Sequence, residues 1–105
     1  MAKYVLAYSG GSTPESEQDR GAVMAAWGSW LGSLGSAIVD PGNPFGAAKA
    51  IANDGSVSDG AATGLSGYSI VSAADLEAAT ALASGCPVFA AGGRLDLYEA
   101  IEISM

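Results

Sequence analysis

The sequence predicts an α+β fold with a ferredoxin-like βαββαβ order and a hairpin inserted after the second strand. Short β-branched and aromatic runs alternate with two helical segments in the order strand, helix, strand, hairpin, strand, helix, strand. Clusters of Gly, Ser, Pro, Asn and Asp separate these runs. A length of 105 residues suits one domain spanning 1–105.

Lys3 to Tyr8 (KYVLAY) reads as the first strand, closed by Ser9-Gly10-Gly11. Tyr4, Leu6 and Tyr8 share one face; Lys3, Val5 and Ala7 share the other. A helix start follows, with Ser12 or Thr13 as cap, Pro14 in the first turn and Glu15 or Glu17 at the positive end. The helix runs to about Leu34, and Gly35 is its stop. Val23, Trp27, Trp30, Leu31 and Leu34 fall in one arc, with Met24 at its margin and Ser29 and Ser33 opposite. Beside the arc runs a stripe of Gly21, Ala25, Gly28, Gly32 and Gly35. An interior glycine costs a helix roughly 1 kcal/mol relative to alanine, so the stripe needs a reason. Close packing of the helix on its own sheet, or small residues that are simply tolerated, is the first; close approach of a second backbone or a flat ligand is the other.

Ala37 to Asp40 is a short strand ended by Pro41-Gly42-Asn43-Pro44. Ala47 to Ala52 and Ser56 to Ser58 pair across the turn Asn53-Asp54-Gly55, and residues 60–67 form a connector. Tyr68 to Val71 is the next strand. Ser72 is the expected cap of a second helix, with Asp75 completing a capping-box variant, and the helix continues through Leu76, Ala79 and Leu82 to Gly85. After Cys86-Pro87 and a brief segment from Val88 to Ala91, Arg94 to Ile103 forms the last strand. Both helices are expected on one face of an antiparallel sheet. The other face then needs cover, which a second subunit supplies.

Half of the residues are hydrophobic, many of them alanine, so the core is expected to be thin. The net charge is −7, and the four basic residues, Lys3, Arg20, Lys49 and Arg94, are scattered. This excludes a phosphate-tracking surface, and no nucleic-acid partner is expected. Cys86 is the single cysteine, which rules out an intrachain disulfide and suits a reducing compartment. The N-terminus lacks the apolar core of a signal peptide, and no run approaches membrane-span length. The expectation is a soluble cytoplasmic protein with no membrane partner.

Chemistry-bearing residues are sparse. The chain has no histidine, so neither a metal site nor a cofactor is expected. Ser9-Gly10-Gly11-Ser12 leads from strand to helix, where an anion can sit, but a plain turn accounts for it. Cys86 has no base or cation near it in sequence and reads as a buried structural thiol. Glu99 shares the parity of Leu95, Leu97, Ile101 and Ile103, which gives it either a desolvated acid–base role or a bulge or edge position in water. Asp40 and Asp59 end strands, where they cap turns or line a cleft with Asn43 and Tyr68. Trp27 and Trp30 are core or interface anchors, or an aromatic ligand wall beside the glycines.

Residues 67–103 (GYSIVSAADLEAATALASGCPVFAAGGRLDLYEAIEI) resemble the YCII-related, or DGPF-domain, family. The Gly-Tyr strand, the Asp-Leu-Glu-Ala-Ala helix, the Gly-Cys-Pro break and the Gly-Gly step into the last strand carry the resemblance. KYVLAYSGG and VDPGNPFG agree with it, so it covers essentially the whole chain. It implies a homodimeric α/β barrel in which two ferredoxin-like protomers pack sheet to sheet. In some members a His–Asp pair is taken as the active site, with the histidine in the first helix, near Met24 to Trp27 here. This chain has no histidine, and Asp59-Gly60 is followed by Ala61-Ala62 rather than Pro-Phe. Inherited catalysis is therefore not expected.

The expected function is a dimeric small-molecule-binding or accessory module without its own catalysis, with Trp27, Gly28, Asn43 and Tyr68 as ligand-binding residues. The alternative is a cofactor-independent enzyme that uses a carboxylate, Glu99, Asp40 or Asp59, on a small organic substrate. A pure protein-interaction role is a third reading, which the sequence leaves open.

Overall fold

The computed structural model describes residues 1–11 and 16–103. Its elements in chain order are β1 (Ala2–Gly10), α1 (Glu17–Leu34), β2 (Ile38–Asp40), β3 (Lys49–Ile51), β4 (Val57–Asp59), β5 (Leu65–Ala73), α2 (Leu76–Ala83) and β6 (Gly93–Ala100). The chain is a mixed α+β structure. An antiparallel sheet of four strands runs in the order β2-β5-β1-β6, and β3 and β4 pair as a separate two-stranded hairpin.

Strand alternation sorts the sheet into two faces. Tyr4 lies between Val71 and Glu99, Leu6 between Ser69 and Leu97, and Tyr8 between Gly67 and Leu95. On this face Tyr4, Leu6, Tyr8 and Val71 are buried, together with Trp30 from α1 and Ala79 and Ala83 from α2. Trp27, Leu31 and Leu34 pack against the same cluster, as the helical arc predicts. Val23, the first residue of that arc, is left exposed. The opposite face carries the row Ile70–Val5–Tyr98 and the row Tyr68–Ala7–Asp96, and Tyr98 is 61 % exposed there.

The glycine stripe of α1 does not do what close helix–sheet packing requires. Beyond its chain neighbours and the adjacent backbone of α1, a Cβ built at Gly21, Gly28, Gly32 or Gly35 meets no described atom within 4 Å. The close approaches are elsewhere. Gly42 has a φ of +78°, and a Cβ there would run into the Tyr68 carbonyl. One at Gly67 would lie 3.1 Å from the Asn43 carbonyl oxygen. The loop after β2 is thus laid directly along β5, held by Phe45 N donating to the Ser66 carbonyl at 2.9 Å and by a bridge between Pro44 and Gly67.

Several boundaries differ from the sequence reading. The cap of α1 is Ser16, whose hydroxyl accepts from Asp19 N at 3.0 Å; Ser12, Thr13, Pro14 and Glu15 lie outside the described residues. Gly35 does end α1, with its N–H on the Gly32 carbonyl. Ser72 is not a helix cap. It lies in β5 opposite Lys3, because β1 starts early enough to keep pairing through Ala73, and Asp75 caps α2 instead by accepting from Ala78 N at 2.8 Å. The same pairing begins at Leu65, so the predicted connector is shorter than 60–67. β6 ends at Ala100, opposite Lys3, and Ile101 and Ile103 lie beyond it, exposed.

The molecule measures 43 × 41 × 18 Å, with a radius of gyration of 15.3 Å. A compact chain of this length has a radius nearer about 13 Å. It exposes 7145 Å², whereas a compact 10.3 kDa monomer exposes about 5,350 Å².

Candidate ligand-binding cavity

Trp27 and Trp30 are one turn apart on α1 and meet edge-to-face, with ring centroids 5.7 Å apart. Trp27 also meets the Tyr8 ring of β1 edge-to-face at 5.0 Å. Trp30 reaches the other way, its indole N–H donating to the Leu82 carbonyl of α2 at 3.3 Å. Large rings therefore link α1 to the sheet and to α2. Between α1, the ends of β1 and β5 and the loop from Pro41 to Pro44 lies a cleft of about 480 Å³.

The predicted ligand-binding set, Trp27, Gly28, Asn43 and Tyr68, borders this one cleft. Gly28 is the single member of the glycine stripe among the lining residues described. Met24, 75 % exposed, stands at the rim, and Leu31, Pro44 and Val88 add apolar wall. Tyr68 borders the cleft, but its ring stacks on Phe45 at 5.7 Å and its hydroxyl donates to Asp40 Oδ2 at 3.1 Å. The ring and hydroxyl are thus already engaged.

Tyr8, Ser69 and the Pro41 carbonyl are the parts sequence reasoning missed. The Tyr8 hydroxyl donates to Ser69 Oγ at 2.8 Å, and Ser69 Oγ donates to the Pro41 carbonyl at 2.7 Å. Ser69 is the one buried polar residue among those described. A buried hydroxyl without partners is costly, and this relay removes the cost. Burial pushes the Tyr8 hydroxyl up to about 12; the Ser69 bond opposes the shift and nearby Cys86 adds to it. Burial likewise raises the Cys86 thiol, against smaller opposing effects from the Val88 N–H and Tyr8. Cys86 is therefore a buried, protonated thiol at neutral pH, as the structural reading of it predicts. The available sequence signal was parity: Ser69 shares a face with Gly67 and Val71.

The three candidate carboxylates are not brought together, and none borders the cleft. Asp40 Oδ1 accepts from Gly42 N at 2.8 Å, so Asp40 closes the turn that starts the loop. Asp59 is 95 % exposed in its side chain and pairs with Lys49 across the hairpin at 2.7 Å. Glu99 shares the parity of Leu95 and Leu97 but is exposed, near the end of an edge strand. Its desolvation does not occur, because the apolar cover stops before that end of β6. The anion reading of Ser9-Gly10-Gly11 also loses its helix, since α1 starts only at Glu17; Ser12 is outside the described residues. Among the described residues, no group of His, Cys, Asp and Glu is placed to hold a metal ion, and no helix is long and apolar enough to cross a membrane.

Comparison with protein-family models, curated proteins and solved structures returns no match to this chain.

Proposed function

We propose that this chain is a small-molecule-binding or accessory module that works as a homodimer in the cytoplasm and has no catalysis of its own. The observation that carries the reading is the cleft. It gathers Trp27, Gly28, Asn43 and Tyr68 on walls that, among the described residues, include no carboxylate, ammonium or guanidinium group. Its size falls within the roughly 300–1,000 Å³ of small-molecule sites. The carboxylate-enzyme alternative gains no support: Glu99, Asp40 and Asp59 stand on separate elements, none lines the cleft, and Asp40, the nearest, has its oxygens taken by Gly42 N and the Tyr68 hydroxyl.

A ferredoxin-like protomer of the YCII-related, DGPF-domain kind is part of the same proposal. Its support is the sheet order β2-β5-β1-β6, which a βαββαβ chain takes when its first and third core strands lie side by side. The dimer is supported by the surplus of exposed surface and by the apolar row Ile70–Val5–Tyr98 on the sheet face opposite the helices. An ordinary interface takes about 800 Å² from each partner, well within that surplus.

Native mass spectrometry followed by denaturing mass analysis of the same sample tests this. The expected result is a mass of two chains with a small adduct that leaves on denaturation. A bare monomer at micromolar concentration would refute the dimer. Carboxylate-dependent turnover abolished by Glu99→Gln, Asp40→Asn or Asp59→Asn would refute the non-catalytic reading.

A further inference from the structure

We propose that the cleft takes an uncharged, planar hydroxyaromatic molecule of one or two fused rings, which donates a hydrogen bond to the cleft floor. This rests on the small-molecule reading above and adds the chemical class.

The charge argument comes first. Among the described lining residues there is no lysine, arginine, aspartate or glutamate, and the chain as a whole carries −7. Lys49 and Arg94 are paired with Asp59 and Asp96, away from the cleft. An anionic ligand would leave water for walls that offer no counter-charge, at a large desolvation cost. A cation would find no carboxylate on those walls either, since Asp40 turns its oxygens to Gly42 N and the Tyr68 hydroxyl.

The shape argument follows. Tyr8, Met24, Trp27, Leu31, Pro44 and Val88 provide the apolar wall. Trp27 stands between Tyr8 and Trp30 at interplanar angles of 76° and 82°, so its ring is braced from two sides. A fixed indole beside a residue without a side chain favours a flat partner. Gly28 is that residue, and beyond its chain neighbours and the adjacent backbone of α1 no described atom lies within 4 Å of where its Cβ would be.

The polarity argument fixes the hydroxyl. Each hydroxyl proton on the floor is spent: that of Tyr8 on Ser69, and that of Ser69 on the Pro41 carbonyl. The Gly42 N–H is spent on Asp40, and the Tyr68 N–H points to the Asn43 carbonyl at 3.4 Å. What these groups have left to offer is lone pairs, while the Asn43 amide and the Ser66 hydroxyl, which also line the cleft, carry donors of their own. A ligand that only accepts hydrogen bonds meets acceptors at the floor and finds donors only at Asn43 and Ser66, whereas a phenol-type hydroxyl, which both donates and accepts, finds a partner in either place.

The test is equilibrium dialysis of the full chain with three probes of one shape: 2-naphthol, 2-methoxynaphthalene and 2-naphthoate. The expected result is that 2-naphthol binds at least about tenfold more tightly than the other two. Gly28→Phe, which fills the cleft edge, is expected to lower its affinity by at least the same factor. If Gly28→Phe does not fold by circular dichroism, Met24→Trp at the rim takes its place. Equal or tighter binding of 2-naphthoate or 2-methoxynaphthalene, still abolished by the filling variant, would overturn the hydroxyaromatic class and leave the small-molecule reading standing. Binding of none of the three, or binding that the filling variant does not change, would overturn the hydroxyaromatic class, and the small-molecule reading would then stand or fall on the adduct seen by native mass spectrometry.

Discussion

The two faces of the four-stranded sheet are built from the same residues' neighbours, yet they have opposite fates. On one, Tyr4, Leu6 and Tyr8 of β1 disappear beneath two helices. On the other, Val5 is only half-buried and Tyr98 beside it stands largely in water. Both faces carry apolar side chains, so hydrophobicity along the strand does not separate them. What separates them is cover, and the described part of a single chain has helices for only one side. Composition fixes how much apolar surface a chain has; connectivity decides which part of it stays wet.

The largest effect that sharpens this contrast is expected from paired truncations. Leu6→Ala, at a position with 0 % exposure, should lower the free energy of unfolding in urea by about 3 kcal/mol, whereas Val5→Ala next to it should cost less than about 1 kcal/mol in a monomer. A cost at Val5 that grows with protein concentration would break the contrast and show that a second copy covers that face. An intermediate effect is expected at Tyr8. Tyr8→Phe removes the donor to Ser69 and should cost about 1–2 kcal/mol near neutral pH. Burial raises the pKa of Tyr8 from 10.0 to about 12, so its contribution is complete below pH 10 and is lost as the pH climbs towards 12. Tyr8→Phe should therefore flatten the alkaline limb of the stability–pH profile, and a limb of unchanged steepness would contradict the burial of that hydroxyl. The smallest effect belongs to the open face. Arg94 and Asp96 pair there at 2.9 Å, but the Arg94 side chain is 75 % exposed. Asp96→Asn should cost below about 0.5 kcal/mol and nothing measurable at ~1 M salt.

How far the sequence could be read follows from the range of the forces involved. Local signals carried well. Gly35 ends α1, and Asn53-Asp54-Gly55 turns the hairpin, where Asp54 accepts from Ser56 N at 2.9 Å and has its pKa lowered by that bond. The aromatic arc of α1 faces the core because its spacing leaves little choice. Boundaries set by a partner strand carried poorly. Ser72 has the chemistry of a cap, but β1 holds it in the sheet. Ile101 and Ile103 have the alternation of a strand, but pairing stops at Ala100. For the cleft, Trp27, Gly28, Asn43 and Tyr68 were visible as residue types beside a helix and a loop. Its floor was not. Tyr8 and Ser69 are 61 positions apart, and only the register of β1 on β5 makes them neighbours.

The thinness of the molecule has a thermal consequence. A slab 18 Å across that keeps 7145 Å² in water has less surface left to expose when it melts. The heat capacity of unfolding scales with newly hydrated apolar area, so here it should fall below the usual roughly 12–15 cal/mol/K per residue. A small heat-capacity increment makes a broad, gently curved stability profile. The single chain is thus built to lose little on cooling or mild warming, with a low maximum rather than a sharp optimum.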